Sequence, residues 1–516
     1  MQLLSGRRFH LAAFACVIPF VLFGGLILNS KFDMVDDAYY IVLAKSLSIG
    51  GGYSDIHLPT PALHSHFPPG LPVVLSLPTG LGFDLDADVI IYKLILIVCG
   101  ALGLYLFAHL AFSEGISKQE TLSAVIISAL SITFVGFTYR VSSEMLYFVL
   151  STSTLVVLNR YEKTSVRSPW LIVLGFLMAG TILTRSIGII LPAASLTNWL
   201  FRREFKRAAA LLSFTALLLL PWYLFGGAKT PGSGQYLKEF VSSFNSDTGG
   251  PAITAMRRIV ENGWLLIWRD IPRTILSFTV SEFVDARAWL RLLLSPVRLL
   301  ISTITCVAIC RDLWVSRSTV SFYVFYSIVL IIFWPWDPSR YLVPLTPFIC
   351  LSFICGFELA LKPFESWKST LAPRGSTLAV LTLVCALSHL VSDIRLVKTV
   401  RTTGAYTAQA SELWNDTMAA YDWLKRNTRE SSIIACDPTI EAHVFLYTGR
   451  KALPLPSNAE KLRQLGVTHV MKLDSMLTYK RKEREKRDVG DFPAAPVYRN
   501  ASISIFQIGG DAANQR

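Results

Sequence analysis

The apolar residues of this chain fall in blocks of about 20 positions without charges, and that arrangement decides most of what the chain can fold into. A helix needs roughly 20 such residues to cross ~30 Å of hydrocarbon. Eleven blocks are readable, at 10–30, 89–112, 120–138, 142–159, 169–183, 186–200, 208–226, 291–310, 318–335, 341–361 and 375–392. The fifth and sixth are short and read either as a hairpin or as a tilted, broken pair. Only 16% of the 516 residues are charged, against about 25% in soluble domains. The run from Leu11 to Leu28 follows Arg7 and Arg8 and has no small-residue cleavage site before Asn29 and Ser30, so it reads as a first membrane helix and not as a signal peptide.

Lysine and arginine set the expected orientation. With the N-terminus inside, the short segments 1–9, 113–119, 160–168, 201–207, 311–317 and 362–374 are cytoplasmic. They hold Arg7, Arg8, Lys118, Arg160, Lys163, Arg167, Arg202, Arg203, Lys206, Arg207, Arg311, Arg317, Lys362, Lys368 and Arg374. The opposite loop, 31–88, holds only Lys31 and Lys45. The net charge of +13 is then a matter of cytoplasmic loops and anionic lipid, and no nucleic-acid-binding motif is present. Seven of the eight cysteines lie in apolar blocks, where they read as small buried hydrophobes; Cys436 is the exception.

The expected fold class is therefore mainly α: a polytopic transmembrane bundle of about eleven spans, N-terminus cytoplasmic, carrying a small extracytoplasmic α/β domain at its C-terminal end. The expected domains are 1–392, with outward loops at 31–88 and 227–290, and 393–516. In the tail, Leu413, Trp414, Met418, Tyr421 and Leu424 recur at helical spacing over 412–427. Strands are expected at 432–436, 467–473 and 502–508.

The first outward loop is rich in aspartate. Asp36 and Asp37 stand a few residues past the first span and open a helical pattern in which Ile41, Leu43, Ala44 and Leu47 are apolar. Two readings stay open at this point: a cap on an interfacial helix, favoured by the helix dipole, or a catalytic carboxylate. The topology brings further ionisable groups to the same face: Arg140, Glu144, Arg185, Asp337 and Arg340, with Tyr341 beside the last. Each alone reads as an interfacial anchor. Together, acids with arginines at helix ends fit an anionic substrate and a proton transfer. His57, His64 and His66 share the first loop, where His66 leads into the rigid turn Phe67-Pro68-Pro69-Gly70. A basic run, Lys480 to Arg487, reads as a solvated face.

On these residues the chain resembles the GT-C superfamily of membrane glycosyltransferases, in particular the bacterial relatives of protein O-mannosyltransferases and of the lipid A aminoarabinose transferase. Asp36-Asp37-Ala38-Tyr39-Tyr40, Phe67-Pro68-Pro69-Gly70, Ser143-Glu144, Arg340-Tyr341-Leu342-Val343-Pro344 and Tyr447-Thr448-Gly449-Arg450 carry the likeness, in family order. The resemblance implies a polyprenyl-phosphate sugar donor, a lipid, glycan or protein acceptor, and an inverting displacement at the outer face of a membrane, which would be the bacterial inner membrane or, in a eukaryote, the endoplasmic reticulum. It implies Asp36 as base, Asp37 as an aid to acceptor or metal binding, Arg340 on the leaving phosphate, and Tyr40 and Glu144 lining the site; Arg185, His66 and Tyr341 join them as substrate-binding candidates. No cofactor is called for; a divalent cation, if one takes part, would sit on Asp36 and Asp37. The aminoarabinose transferases carry lysine where this chain has Phe67. The rival reading is a transporter or flippase of a lipid-linked saccharide. Such proteins break their helices near the bilayer midplane, whereas the polar groups here gather at helix ends.

Overall fold

The computed structural model describes residues 2–31, 36–83, 89–229, 241–244, 250–364, 374–405, 408–438, 440–456, 459–473 and 495–508. The basic run at 480–487 and the acids Asp33, Asp84, Asp86 and Asp88 lie outside them.

Helices dominate. In chain order they include α1 (Gln2–Leu26), α2 (Asp37–Ser48), α3 (Gly70–Gly80), α4 (Val89–Ser113), α5 (Lys118–Ala129), α6 (Ile132–Gly136), α7 (Glu144–Glu162), α8 (Trp170–Thr184), α9 (Ile190–Phe201) and α10 (Phe205–Lys229). They continue as α11 (Gly250–Leu265), α12 (Ala288–Val315), α13 (Thr319–Phe333), α14 (Thr346–Leu361), α15 (Arg374–Thr403), α16 (Ala408–Asn427), α17 (Glu441–Thr448) and α18 (Ala459–Gln464). A helix or a broken helix stands at each of the eleven apolar blocks. Among the described residues, six are long and apolar enough to cross a bilayer: Arg7–Leu26, Val89–Ser113, Phe205–Leu224, Ala288–Val315, Ser339–Leu361 and Ser376–Thr403. A seventh candidate, α5 with α6, bends by 45° at its break. The short pair is a hairpin that turns at Arg185, which is extended (φ −148, ψ 133) between α8 and the 3-10 turn Ser186–Ile189. Trp170 at the start of α8 meets Arg160, and Asn198 and Trp199 near the end of α9 reach Glu162, so both ends return to the C-terminal end of α7.

The chain divides into two compact units. The first comprises Met1–Leu28, Ser65–Leu71 and Lys93–Val397; the second comprises Asn29–His64, Pro72–Tyr92 and Lys398–Arg516.

In the first unit, small residues let helices approach closely, as packing between membrane helices requires. A Cβ on Gly103 would lie 2.5 Å from the Phe148 ring, and one on Gly100 would lie 2.6 Å from Phe20 and 3.0 Å from the Met145 sulfur. Gly70, in the double-proline turn, is pressed against the end of α8. A Cβ there would stand 2.5 Å from Thr184 Oγ1, 2.8 Å from the Leu183 carbonyl and 2.9 Å from Thr184 Cα. Backbone cannot rotate away, so Gly70→Ala should destabilise the first unit by about 1–3 kcal/mol, the usual scale of overpacking. Thermal unfolding of the purified chain checks this; an unchanged midpoint would refute the tight contact.

In the second unit a five-stranded sheet runs β4 (Lys451–Pro454), β3 (Ile433–Cys436), β5 (His469–Leu473), β7 (Ile503–Gln507), β6 (Tyr498–Arg499). β3, β4 and β5 are parallel; β7 and β6 add antiparallel. β3 is apolar throughout because both its faces are covered. Ile434 and Cys436 meet Tyr421, Leu424 and Val444, while Ala435 meets Leu453, Leu462 and Val470. The Tyr447–Arg450 motif is structural here. Gly449 takes φ 72 to end α17, a conformation glycine adopts freely. Arg450 donates to the carbonyls of Lys425 and Thr428 at 2.9 and 2.7 Å, capping the end of α16. A short hairpin, β1 (Ser54–Asp55) with β2 (Ala62–Leu63), completes the unit.

Candidate active site

The first unit brings four of the sequence candidates together around one carboxylate. Glu144 is the first residue of α7 and is fully buried, where the helix dipole favours negative charge. Two guanidinium groups converge on it. Arg185 Nη1 lies 2.5 Å from Glu144 Oε1, and Arg340 Nε pairs with the same oxygen. Arg185 also donates to Ser143 Oγ at 3.2 Å, and its guanidinium stacks 5.1 Å from the centre of the Tyr341 ring. Both cations keep their charge, since arginine holds its proton in proteins, and they share one carboxylate oxygen. A small cleft adjoins it, lined by Tyr147, Arg185, Ile187, Tyr323, Ser327, Tyr341, Pro344 and Leu345.

Local folding explains how the arginines get there. The single extended residue between α8 and the following 3-10 turn throws Arg185 out of the helix stack, and the Gly188 amide turns back to the Arg185 carbonyl at 2.8 Å. Arg340 and Tyr341 ride on the turn Ser339–Leu342, started by Pro338. Asp337 fixes that turn by accepting from the Ser339 amide at 2.9 Å. Asp337 is itself held in a fork by Arg269 at 2.8 and 3.0 Å, and Arg269 reaches on to Asp270 at 2.7 Å. Burial opposes ionisation of Asp337, but the Arg269 fork and the Ser339 amide outweigh it and hold its carboxyl below the ordinary range. Asp337 thus orients the Arg340 turn. Arg269, which does this work with it, lies in the segment 227–290, with no periodicity or motif to single it out. Arg140 stacks on Phe137 at 5.5 Å. His66 packs edge-on to Phe67 at 4.7 Å in the double-proline turn.

Asp36, Asp37 and Tyr40 belong to the second unit. Asp36 is the residue before α2, Asp37 is its first residue and is buried, and Tyr40 is buried one turn on. The expected helical pattern is real, with Ile41, Leu43 and Ala44 fully buried. The loop histidines are also placed here. His64 Nδ1 lies 2.9 and 3.1 Å from the two oxygens of Asp55, and His57 Nδ1 lies 3.9 Å away from one of them. Among the described residues, no group of three or more histidine, cysteine or acidic side chains is arranged to hold a metal.

Burial lowers the His57 pKa to about 4, with His64 and Lys451 adding to the effect and Asp55 opposing it. The folded unit keeps His57 neutral, whereas an unfolded histidine binds its proton near pH 6.5. Stability is therefore full above pH 6.5 and is lost as pH falls towards 4, by up to about 3 kcal/mol. Amide protection factors of 433–473, corrected for the intrinsic pH dependence of exchange, should fall between pH 7 and 4.5, and His57→Gln should flatten that dependence. An equal slope in the variant would assign it to other groups.

No protein-family model matches the chain, and no curated protein sequence does. Solved structures do. The oligosaccharyltransferase AglB of Archaeoglobus fulgidus, in complex with an inhibitory peptide and a dolichol-phosphate, superposes with a TM-score of 0.56 at 13% identity, over 91% of this chain and 70% of that one. An Archaeoglobus fulgidus oligosaccharyltransferase tethered by a disulfide bond to an acceptor peptide containing the NVT sequon gives 0.57 at 11%, over 89% and 69%. ArnT of Cupriavidus metallidurans bound to undecaprenyl phosphate gives 0.51 at 13%, over 96% and 97%. Identities this low speak for the fold alone. Together with the long apolar helices, they make this chain a multi-pass integral membrane protein with the GT-C fold.

Proposed function

We propose that the chain is an inverting glycosyltransferase that moves a sugar from a polyprenyl-phosphate carrier to an acceptor hydroxyl at the outer face of a membrane. The observation that carries this is the convergence of Arg185 and Arg340 on Glu144. Arginine's planar fork suits phosphate, and a departing lipid phosphate needs fixed positive charge as the glycosidic bond breaks. AglB and ArnT, with the same fold, have been seen with dolichol-phosphate and undecaprenyl phosphate.

In this reading Asp36 takes the proton of the acceptor hydroxyl. The oxygen attacks the anomeric carbon from the side opposite the phosphate, and the carbon–oxygen bond to the carrier breaks with inversion. Arg340, backed by Arg185, receives the phosphate's charge, with Glu144 holding both arginines in place. Asp37, Tyr40, Tyr341 and His66 line acceptor and donor; a divalent cation on Asp36 and Asp37 would complete its shell with phosphate oxygens and water. Eleven spans with a cytoplasmic N-terminus would turn residues 31–88, 227–290 and the C-terminal domain outward, at the inner membrane of a bacterium. The transport reading is less well supported, because the charged groups sit at helix ends and loops.

The test compares glycolipids and glycans from cells with the wild-type chain, without it, and with Asp36→Asn at equal expression. One sugar addition should vanish on deletion and stay reduced by about 10²–10⁴ in the variant, the usual worth of a positioned base. Full restoration by Asp36→Asn would remove Asp36 as base and bring the transport reading forward.

A further inference from the structure

Within the second unit the C-terminal domain grips the helix that begins at Asp37. Tyr39, two residues past Asp37, donates a 2.5 Å hydrogen bond to Glu441 Oε1, across 402 positions of sequence. Glu441 is buried at the first position of α17. The bond is charge-assisted, phenol to carboxylate, and such bonds are about twice as strong as neutral ones. Burial first, then the neighbouring carboxylate of Glu441, push the Tyr39 phenol far above its ordinary range, so it stays a donor.

Other links join the same pieces. One turn along α17 from Glu441, the Phe445 ring has Lys45 of α2 at 5.9 Å and Lys451 of β4 at 5.3 Å. Lys451 Nζ donates to the Ile56 carbonyl at 2.5 Å, and the Ala452 amide donates to the His57 carbonyl at 2.9 Å. The His57 ring stands edge-on to Tyr39 at 5.5 Å. Residues 56–57 thus cover the β4 edge, which would otherwise expose unpaired amides.

We infer that Glu441 is a positioning residue: by holding Tyr39 it fixes the rotation of α2, and so the aim of Asp36 and Asp37 in its first turn. The inference rests on the reading of Asp36 as base. It assigns the C-terminal domain a part in catalysis at a distance from the reacting atoms. Helix rotation is the sensitive variable, because successive side chains on a helix lie about 100° apart.

The test uses the full-length chain with Tyr39→Phe, Glu441→Ala, Glu441→Gln and the double variant Tyr39→Phe/Glu441→Ala. Two quantities are read: the sugar addition lost on deletion, and amide exchange of 37–48 in detergent, with 144–162 as internal control. Tyr39→Phe and Glu441→Ala should each lower product by about tenfold or more, the scale of one charge-assisted hydrogen bond. The double variant should lose no more than the worse single one. Both should speed exchange in 37–48 while 144–162 stays protected. Glu441→Gln keeps a carbonyl acceptor for the Tyr39 hydroxyl and should restore most of both. Unchanged exchange in Glu441→Ala overturns the inference, as does a Glu441→Gln as inactive as the alanine variant with 37–48 protected. Should Asp36→Asn keep its activity, the base assignment fails instead, and exchange in 37–48 alone decides whether Glu441 holds the helix.

Discussion

Replacing Glu144 by alanine should destabilise the first unit by about 3–5 kcal/mol, the scale found when one partner of a buried ion pair is removed, and should abolish product formation. The carboxylate is fully buried, and the Arg185 side chain beside it is only 10% exposed. Taking Glu144 away deprives Arg185 and Arg340 of the carboxylate oxygen they share. Solvent cannot relieve Arg185, and Arg340 can reach water only by leaving its place. Glu144→Gln preserves shape but not charge, so it should lose nearly as much. The contrast that separates folding from function is a double change. Glu144→Met with Arg185→Leu removes the anion and the more buried cation together, and apolar replacement of a buried pair is often neutral. That variant should regain thermal stability in detergent while remaining inactive. A Glu144→Gln chain with wild-type midpoint and wild-type product would show that the two arginines do not depend on this carboxylate.

The helical part of the fold was legible because a bilayer demands long uncharged stretches, and these survive any packing detail. The strands at 433–436, 469–473 and 503–507 and the helix at 408–427 were legible from local period. What lay between was not. The eight residues of α17 show no helical stripe, because Ala442, His443, Val444 and Leu446 are all buried. β4 is four residues long and reads as loop. The site was legible only as a set of charges sent to one face. Topology grouped Glu144, Arg185 and Arg340, but no spacing says that both arginines share one oxygen. The same reasoning grouped Asp337 with the acids of the site. Arg269 holds it instead, and Tyr39 finds Glu441. Ion pairs between distant segments leave no period in the sequence, since each partner meets only its own local rules.

The two arginines should also prove unequal, and Arg340 should be the one on which activity turns. Arg185 is tied to Glu144, to Ser143 Oγ and to the face of Tyr341. It is a buried member of the framework. The Arg340 side chain is 29% exposed, against 10% for Arg185, and rides on a turn held by Asp337 and Arg269, so solvent-borne anions reach it more readily. Removing it leaves Glu144 paired with Arg185, so the fold should hold while one fixed cation is lost. Arg340→Ala should therefore lower product formation by about 10²–10³, the usual loss for one fixed donor to developing negative charge, with little change in thermal midpoint. Arg340→Lys should recover only part of this, because an ammonium cannot present two parallel donors. Arg185→Ala should lower activity and midpoint together. Inorganic phosphate separates binding from packing: a ligand that binds only the folded chain raises its midpoint, so phosphate should stabilise the wild-type chain and leave Arg340→Ala unmoved. An Arg340→Ala chain that keeps both full activity and the phosphate response would move the anion site away from this turn and leave Arg185 as the only phosphate ligand of the pair.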